Sequence, residues 1–446
     1  MAARIGQVPA ALSSPIRWPR PPRKVRVLGR LFFGVTAFTV LATAGVGWYL
    51  HTAVLGGLAS SNALSGLGRP AQPGADQNIL LMGLDSRRDM DGNDLSPAVL
   101  AQLHAGSSSD VGGYNTNTLI LLHVPADGSR AVALSIPRDD YVDLPGGLGK
   151  HKIKEAYGLS KEAAENAAHA AGVTDSAQLE HIGREAGRRA AVETVEQFLN
   201  VPVDHFVEIN LAGFADLAGA LGGVDVCLRA PVHDWYSGAD FTAGVHTLNG
   251  PQALAFVRQR HGLPNGDLDR THRQQAFLSA AVAKLRGAGV FDDLGKIDAL
   301  LAVARKDVVA DSGFDVLSFL QQADSVTSGD TRFYTLPITG YATIGGEAVN
   351  LVDQSALQTL TQRLLAGLPP TSPGPSGAAS APGAVAPGTP VVPGLDFTPG
   401  AAAVPRATGG SAASAVSGGS HNVAAGVPAP PSAPVFAPPP GVPCVN

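Results

Sequence analysis

The chain has 446 residues, and its 32 Lys and Arg against 37 Asp and Glu leave a net charge of −5. That balance argues against a nucleic-acid-binding domain, which would be basic overall. Only two cysteines occur, Cys227 and Cys444, with no CxxC or Cys/His ligand spacing, so a structural zinc site is excluded, and the length allows one large exported domain with flexible ends.

From Leu31 to Leu50 there is no charged residue, and at about 1.5 Å rise per residue such a run crosses a hydrocarbon core of roughly 30 Å. It reads as one transmembrane helix, assigned to residues 31–53. The preceding segment, residues 1–30, carries Arg4, Arg17, Arg20, Arg23, Lys24, Arg26 and Arg30 with no Asp or Glu. The positive-inside rule therefore keeps the N-terminus cytoplasmic and sends the rest across the cell membrane. A cleaved signal peptide is the alternative; the length of the run and the weak cleavage sequence His51-Thr52-Ala53-Val54 favour an uncleaved anchor. Outside the cell the two cysteines either join the core to the extreme C-terminus as a disulfide or remain one buried thiol and one idle tail thiol.

A Gly/Ala/Ser/Pro connector, 54–76, leads into patterned sequence over 77–368. Asn78 to Leu84, Thr118 to Val124 and Ala131 to Ile136 are short apolar runs that read as buried strands. From Ala186 to Leu199 the residues Val192, Val195, Phe198 and Leu199 recur at helical spacing. A strand at 203–210, a helix at 212–221 closed by Gly222-Gly223, a strand at 224–228, a strand at 331–337 and a helix at 354–365 follow. The expected fold is a layered α/β/α domain with a central mixed sheet. From Pro369 onward Pro, Ala, Gly and Ser dominate, so 369–446 reads as a disordered tail that cannot bury enough surface to offset its ordering entropy.

Four arginines, Arg258, Arg260, Arg270 and Arg273, gather within a short stretch. A guanidinium grips a phosphate through two parallel charge-assisted hydrogen bonds, so the cluster reads as a phosphate clamp. Arg258 and Arg260 point the same way if the helix begun at Gly250 has ended before them, and Arg270 and Gln274 share one helix face. For a lone arginine a surface salt bridge worth roughly 0 to 1 kcal/mol is the blander account; an ordered set favours a site. The histidines form no Ser/His/Asp arrangement, so a hydrolase triad is excluded from the expectation.

Gly83-Leu84-Asp85-Ser86-Arg87, Tyr114-Asn115-Thr116-Asn117-Thr118, Ser135-Ile136-Pro137-Arg138-Asp139, Lys152-Ile153-Lys154-Glu155-Ala156-Tyr157-Gly158 and the arginine cluster stand at strand ends or in loops. With Gly213-Phe214, Leu221-Gly222-Gly223-Val224 and Leu248-Asn249-Gly250 they resemble, in order and over most of residues 78–285, the LytR-CpsA-Psr family of bacterial cell-wall enzymes. The resemblance implies a glycopolymer phosphotransferase. Such an enzyme moves a wall polymer from a polyprenyl-pyrophosphate carrier to a hydroxyl of peptidoglycan through a phosphodiester, with Mg2+ on the pyrophosphate, the lipid in an apolar pocket and a pyrophosphatase side activity.

By position it implies pyrophosphate contacts for Arg87, Arg138, Lys152, Arg258, Arg260, Arg270 and Gln274, and catalytic roles for Arg138, Arg258, Arg260 and Asp267. It implies a metal site at Asp85 and Asn117. The family pattern Arg-Ser-Asp-Thr reads Asn115-Thr116-Asn117-Thr118 here, so a metal carboxylate is replaced by a neutral amide. Either Asp85 holds the ion with Asn117 and substrate oxygens, or Asp91 and Asp94 substitute. Asp139 or Asp267 could serve as base, although an Asp beside arginines is more often their structural partner. A non-catalytic polyprenyl-phosphate-binding protein is the competing reading. Transcriptional regulation is disfavoured, because the cytoplasmic segment is short and lacks a helix-turn-helix pattern. High Ala and Gly content suits an actinobacterium, for which arabinogalactan would be the polymer; a teichoic-acid-like polymer is the other example.

Overall fold

The computed structural model describes residues 59–67, 74–106, 114–287, 294–315, 331–370 and 442–446. The expected transmembrane helix at 31–53 and the basic segment before it lie outside these residues. Among the described residues no helix is long and apolar enough to cross a membrane.

In chain order the elements are β1 (Ala59–Ser61), β2 (Gln77–Asp85), α1 (Pro97–Gln102), β3 (Asn115–Val124), β4 (Ala131–Ser135), β5 (Tyr141–Leu144), β6 (Gly149–Lys152), α2 (Glu155–Ala170) and α3 (Ser176–Leu199). There follow β7 (His205–Asn210), α4 (Leu211–Ala220), β8 (Val224–Leu228), β9 (Val232–Asp234), β10 (Ala239–Phe241), β11 (Gly244–Leu248), α5 (Gly250–Arg258) and α6 (Asp267–Gly287). The last are α7 (Leu294–Asp307), β12 (Val308–Asp311), β13 (Thr331–Thr335), β14 (Gly340–Ile344), β15 (Glu347–Leu351), α8 (Gln354–Leu365) and β16 (Cys444–Val445).

Seven strands form one mixed sheet in the order β1-β12-β7-β2-β3-β4-β13. The period-2 pattern of the central strands separates its two faces. Leu80, Met82 and Leu84 of β2 and Leu119 and Leu121 of β3 pack with Val192, Val195 and Phe198 of α3 and Leu357 and Leu364 of α8. Ile79 of β2 and Ile120 and Leu122 of β3 turn the other way, toward Phe333 and Leu278. A further core joins α4, α5 and α6 to the small sheet β11-β8-β16. The fold is thus mixed α/β around a central mixed sheet.

Helix starts follow side-chain chemistry. Asn210 caps α4 by accepting from Gly213 N at 2.7 Å, and Asn249 with Gln252 forms a capping box that starts α5. At the other end of α3, Asn200 takes the left-handed conformation at φ 53° and stops the helix.

Three boundaries differ from the sequence reading. The connector 54–76 contains Ala59–Ser61, which pairs in parallel with Val309–Asp311 at the edge of the main sheet. Three residues carry too little periodicity to be seen beforehand. Near its end the segment 369–446 carries Cys444 and Val445, which pair with Cys227 and Leu228 of β8, and a disulfide joins Cys227 to Cys444. A crosslink fixes this end, so its Pro/Ala/Gly composition does not govern it. Helix α3 begins ten residues before Ala186, because its first turns bury Glu180, Gly183 and Arg184 rather than apolar residues.

Candidate functional site

At the C-terminal end of β2 the pairing with β3 slips by one residue, since Gly83 faces Thr118 while Leu84 faces Thr116. Asn117 is the extra residue of this bulge, a device that re-aims a side chain. Its amide bridges the two strand-end groups. Nδ2 donates to Asp85 Oδ2 at 2.7 Å, and Oδ1 accepts from Arg138 Nη1 at 2.9 Å. Asp85 Oδ1 in turn accepts from Arg87 Nη1 at 2.8 Å. The close approach at Gly83 has a steric reason, because a Cβ there would lie 2.9 Å from that of Thr118.

The second set comes from α5 and α6. Helix α5 ends at Arg258. Gln259 leaves it with ψ 132° and is buried, so the chain is extended there and Arg258 and Arg260 both reach the same cavity. Arg258 Nη1 donates to the carbonyls of Leu103 at 3.0 Å and His104 at 3.1 Å. Arg260 is exposed. On α6, Arg270 donates to Asn117 O at 3.0 Å and to Asp267 Oδ2 at 3.0 Å, and Gln274 donates to Thr118 Oγ1 at 2.9 Å.

These residues close one part of a cavity of about 550 Å³. Its wall changes character along both the sheet and the helix. On β2 and β7, Leu81 and Val207 lie side by side one level below Gly83 and Ile209, with Asp85 at the strand end. On α6 the same face presents Arg270, then Gln274, then Leu278 and Ala281. Phe214, Leu217, Leu221, Leu254, Phe277 and Val308 complete the apolar part. The cavity therefore joins a cationic end to an apolar one, as an amphipathic ligand with an anionic head requires.

Burial lowers the Arg270 guanidinium to about 10, with Arg138 pushing the same way and Asp267 opposing. Burial likewise lowers Arg258, against the pull of Asp85. Both remain cations at neutral pH. Asp267 lies 2.9 Å from Arg138 Nη2 through Oδ1, so it ties Arg138 to Arg270. The Nε atoms of Arg138 and Arg270 are buried without a hydrogen-bond partner among the described residues. Arg138 Nε nonetheless lies 3.5 Å from Asp139 Oδ2.

Other expected site residues stand elsewhere. Arg87 is buried and committed to Asp85 and the carbonyl of Ala105, the latter at 3.0 Å. Lys152 pairs with Glu347 at 2.6 Å, and neither residue lines the cavity. Asp139 pairs with Lys154 at 2.7 Å. Burial favours its neutral form, but Arg138 and Lys154 outweigh it and hold the carboxyl below the usual range. Asp94 pairs with Arg88 at 3.2 Å, and Asp91 and Asp94 are absent from the cavity wall. Arg273, grouped by sequence with its neighbours, is fully buried over the Phe256 ring at 5.0 Å.

Among the described residues no three His, Cys, Asp or Glu side chains are grouped to hold a metal ion. At the cationic end the carboxylate not paired with Arg138 or Arg270 is Asp85, whose oxygens accept from Arg87 and from the Asn117 NH2, while the Asn117 amide oxygen accepts from Arg138; a metal there would displace these bonds. Magnesium is commonly held by one or two carboxylates plus phosphate oxygens and water, so Asp85 fits an ion that arrives with a phosphate ligand. Asp234, Tyr236, Ser237 and His261 also line the cavity. Sequence reading did not select them, although the adjacent aromatics Trp235-Tyr236 between two short strands were a visible signal.

A model of the LytR_cpsA_psr family matches residues 59–366. The chain is 39% identical over 344 residues to the cell wall biosynthesis protein LcpA of Corynebacterium glutamicum, covering 75% of this chain and 65% of that protein. It thus spans just under two thirds of that relative's length. It is 25% identical over 338 residues to the polyisoprenyl-teichoic acid--peptidoglycan teichoic acid transferase TagU of Enterococcus faecalis, covering 75% of this chain and 95% of that one. Among solved structures, protein gbs0355 from Streptococcus agalactiae aligns with a TM-score of 0.48 and 19% identity, over 67% of this chain and 90% of that chain.

Proposed function

Because the chain belongs to the LytR-CpsA-Psr family, we propose that it transfers a cell-wall glycopolymer from a polyprenyl-pyrophosphate carrier to peptidoglycan, outside the cell and anchored through the apolar segment 31–53. The observation that carries this reading is the two-part cavity, in which Arg138, Arg258, Arg260 and Arg270 face the same space as Leu81, Val207, Phe214 and Leu278. A pyrophosphate fits the first group and a prenyl chain the second. The names of the relatives, a cell wall biosynthesis protein and a teichoic acid transferase, point to the same class of reaction.

In the proposed step a peptidoglycan hydroxyl oxygen bonds to the glycan-side phosphorus and the P–O bond to the carrier phosphate breaks. The carrier leaves as prenyl phosphate and the hydroxyl proton is released to solvent. Arg258 and Arg260 bind and orient the pyrophosphate. A unit pair at about 4 Å is worth on the order of 4 kcal/mol at an effective dielectric of 20, so such contacts also stabilise the charge on the departing phosphate. Asp267 holds Arg138 and Arg270 in place. Both its oxygens are engaged with guanidiniums, so positioning and electrostatics carry the reaction, as is usual for phosphoryl transfer. Asp85 would hold magnesium in place of its bond from the Asn117 NH2, and the ion would neutralise charge on the leaving phosphate. Hydrolysis of the same pyrophosphate is the corresponding reaction with water as acceptor.

A second reading, a lipid-binding protein without transfer activity, is favoured by Asn117, which leaves Asp85 the one carboxylate of the pair. Transfer of a labelled glycan from a synthetic polyprenyl-pyrophosphate donor to peptidoglycan oligomers, with and without magnesium, separates the two. Metal-dependent product is expected; tight donor binding with no product would replace the transferase by the carrier reading.

A further inference from the structure

Trp235 and Tyr236 occupy the turn between β9 and β10, where they are 71% and 56% exposed. Their rings lie 4.0 Å apart, and Tyr236 lies 4.2 Å from the ring of His261, so three rings run outward from the cavity wall. The turn is firmly built. Asp234, only 3% exposed, accepts from Tyr236 N at 3.0 Å and from Ser237 Oγ at 3.0 Å. Its backbone carbonyl accepts from Gly238 N at 2.9 Å. Gly238 has φ +78°, and a Cβ on it would come within 2.4 Å of the His104 ring. His104 also supplies a carbonyl to Arg258, so the aromatic turn rests on the segment that positions the clamp.

We propose that Trp235, Tyr236 and His261 form a stacking platform for a pyranose ring of the glycan, beside the pyrophosphate clamp. This inference rests on the glycan-transfer reading of the cavity. An exposed aromatic row offers an apolar, weakly polarised face, and a rigid one costs little ordering entropy on binding. A pyranose presents a matching face of C–H groups and rims it with hydroxyls for neighbouring polar groups. Position selects the sugar over the prenyl chain. The platform shares His104 with Arg258 and its His261 follows Arg260 in the chain, whereas Leu81 and Val207 lie two residues further from the Asp85 strand end, below Gly83 and Ile209. Whatever is bonded to a clamped phosphate on its hydrophilic side passes over these rings.

The test uses the full chain in detergent, as wild type, Trp235→Ala and Trp235→Phe, titrated with three probes. These are geranylgeranyl pyrophosphate, the same lipid carrying one N-acetylglucosamine on the pyrophosphate, and chitotetraose. Trp235→Ala is expected to weaken a sugar-bearing probe by roughly three- to tenfold, the scale of one aromatic contact, with Trp235→Phe close to wild type. Bare geranylgeranyl pyrophosphate should bind all three proteins alike. Loss confined to the lipid-linked sugar assigns the platform to the donor, and loss confined to chitotetraose assigns it to the acceptor. Equal affinity of wild type and Trp235→Ala for both sugars, or no sugar binding at all, overturns the proposal. Failure of the bare lipid to bind wild type would instead count against the transfer reading, and chitotetraose would still report on the platform.

Discussion

Two arginine groups lie on opposite sides of the sheet and differ in what they touch. On α3, Arg184 pairs with Glu180 at 2.7 Å and donates to Asp89 O at 2.7 Å, while Lys161 meets Glu180 at 2.9 Å and also pairs with Glu165. The Tyr114 hydroxyl donates to the same Glu180 carboxylate. Arg188 lies 2.9 Å from both Glu208 and Glu185. Burial would raise Glu180, yet its bonds to Tyr114, Arg184 and Lys161 bring it below its ordinary range. Burial together with Glu180 raises Tyr114 to about 12. At the cavity, Arg258 leans on backbone carbonyls and Arg260 makes no hydrogen bond or ion pair to a described residue. Acid-paired charge builds the α2–α3 layer, whereas Arg258 and Arg260 have no acid within ion-pair distance among the described residues, as the proposed clamp requires.

The paired side should break hardest when one member is removed. Glu208→Ala leaves Arg188 buried with a reduced counter-charge, and a loss of about 3–5 kcal/mol is expected in urea denaturation. A loss below about 1 kcal/mol would remove the contrast. At the cavity, Asn117→Asp places a second carboxylate against Asp85, which sharpens the question of where magnesium sits. Magnesium-dependent binding of geranylgeranyl pyrophosphate should then need roughly tenfold less metal, since ligand charge sets affinity. An unchanged requirement would put the ion away from this pair.

The smallest effect concerns Asp140, whose carboxyl burial raises well above its usual range, with Asn350 donating to Oδ1 at 3.0 Å and opposing the shift. A carboxyl raised in the folded state contributes stability that is full below its unfolded value of about 3.9 and is lost as pH climbs through the folded value. Asp140→Asn should therefore flatten the decline of Tm between acidic and neutral pH. A decline as steep as in the wild type would assign it to another group.

Much of the sheet was legible because β2, β3 and β4 are uniform apolar runs, and Val224–Leu228 and Gln354–Leu365 fall where pattern alone puts them. Helix α2 was not legible. Its buried residues are Ala156, Tyr157 and Lys161, which form no apolar stripe, and its close contact with α3 depends on Gly187, where a Cβ would strike the Tyr157 ring at 2.5 Å. The arginine cluster was visible as a cluster, but spacing cannot tell a compensated guanidinium from a free one. Arg273 and Arg258 read alike in sequence, and only packing buries Arg273 over Phe256, with its guanidinium nitrogens unbonded among the described residues, and turns Arg258 into the cavity. The aim of Asn117 is similar, because a one-residue slip in strand pairing leaves no mark in composition.

The most direct measurement is binding of geranylgeranyl pyrophosphate to the full chain and to the Arg258→Ala/Arg260→Ala variant, with thermal melts of both. Hydrogen bonds to charged groups are worth about 1.5–3 kcal/mol each, so the account predicts at least a hundredfold loss of affinity with Tm nearly unchanged. Equal affinity in the two proteins, at equal stability, would contradict it.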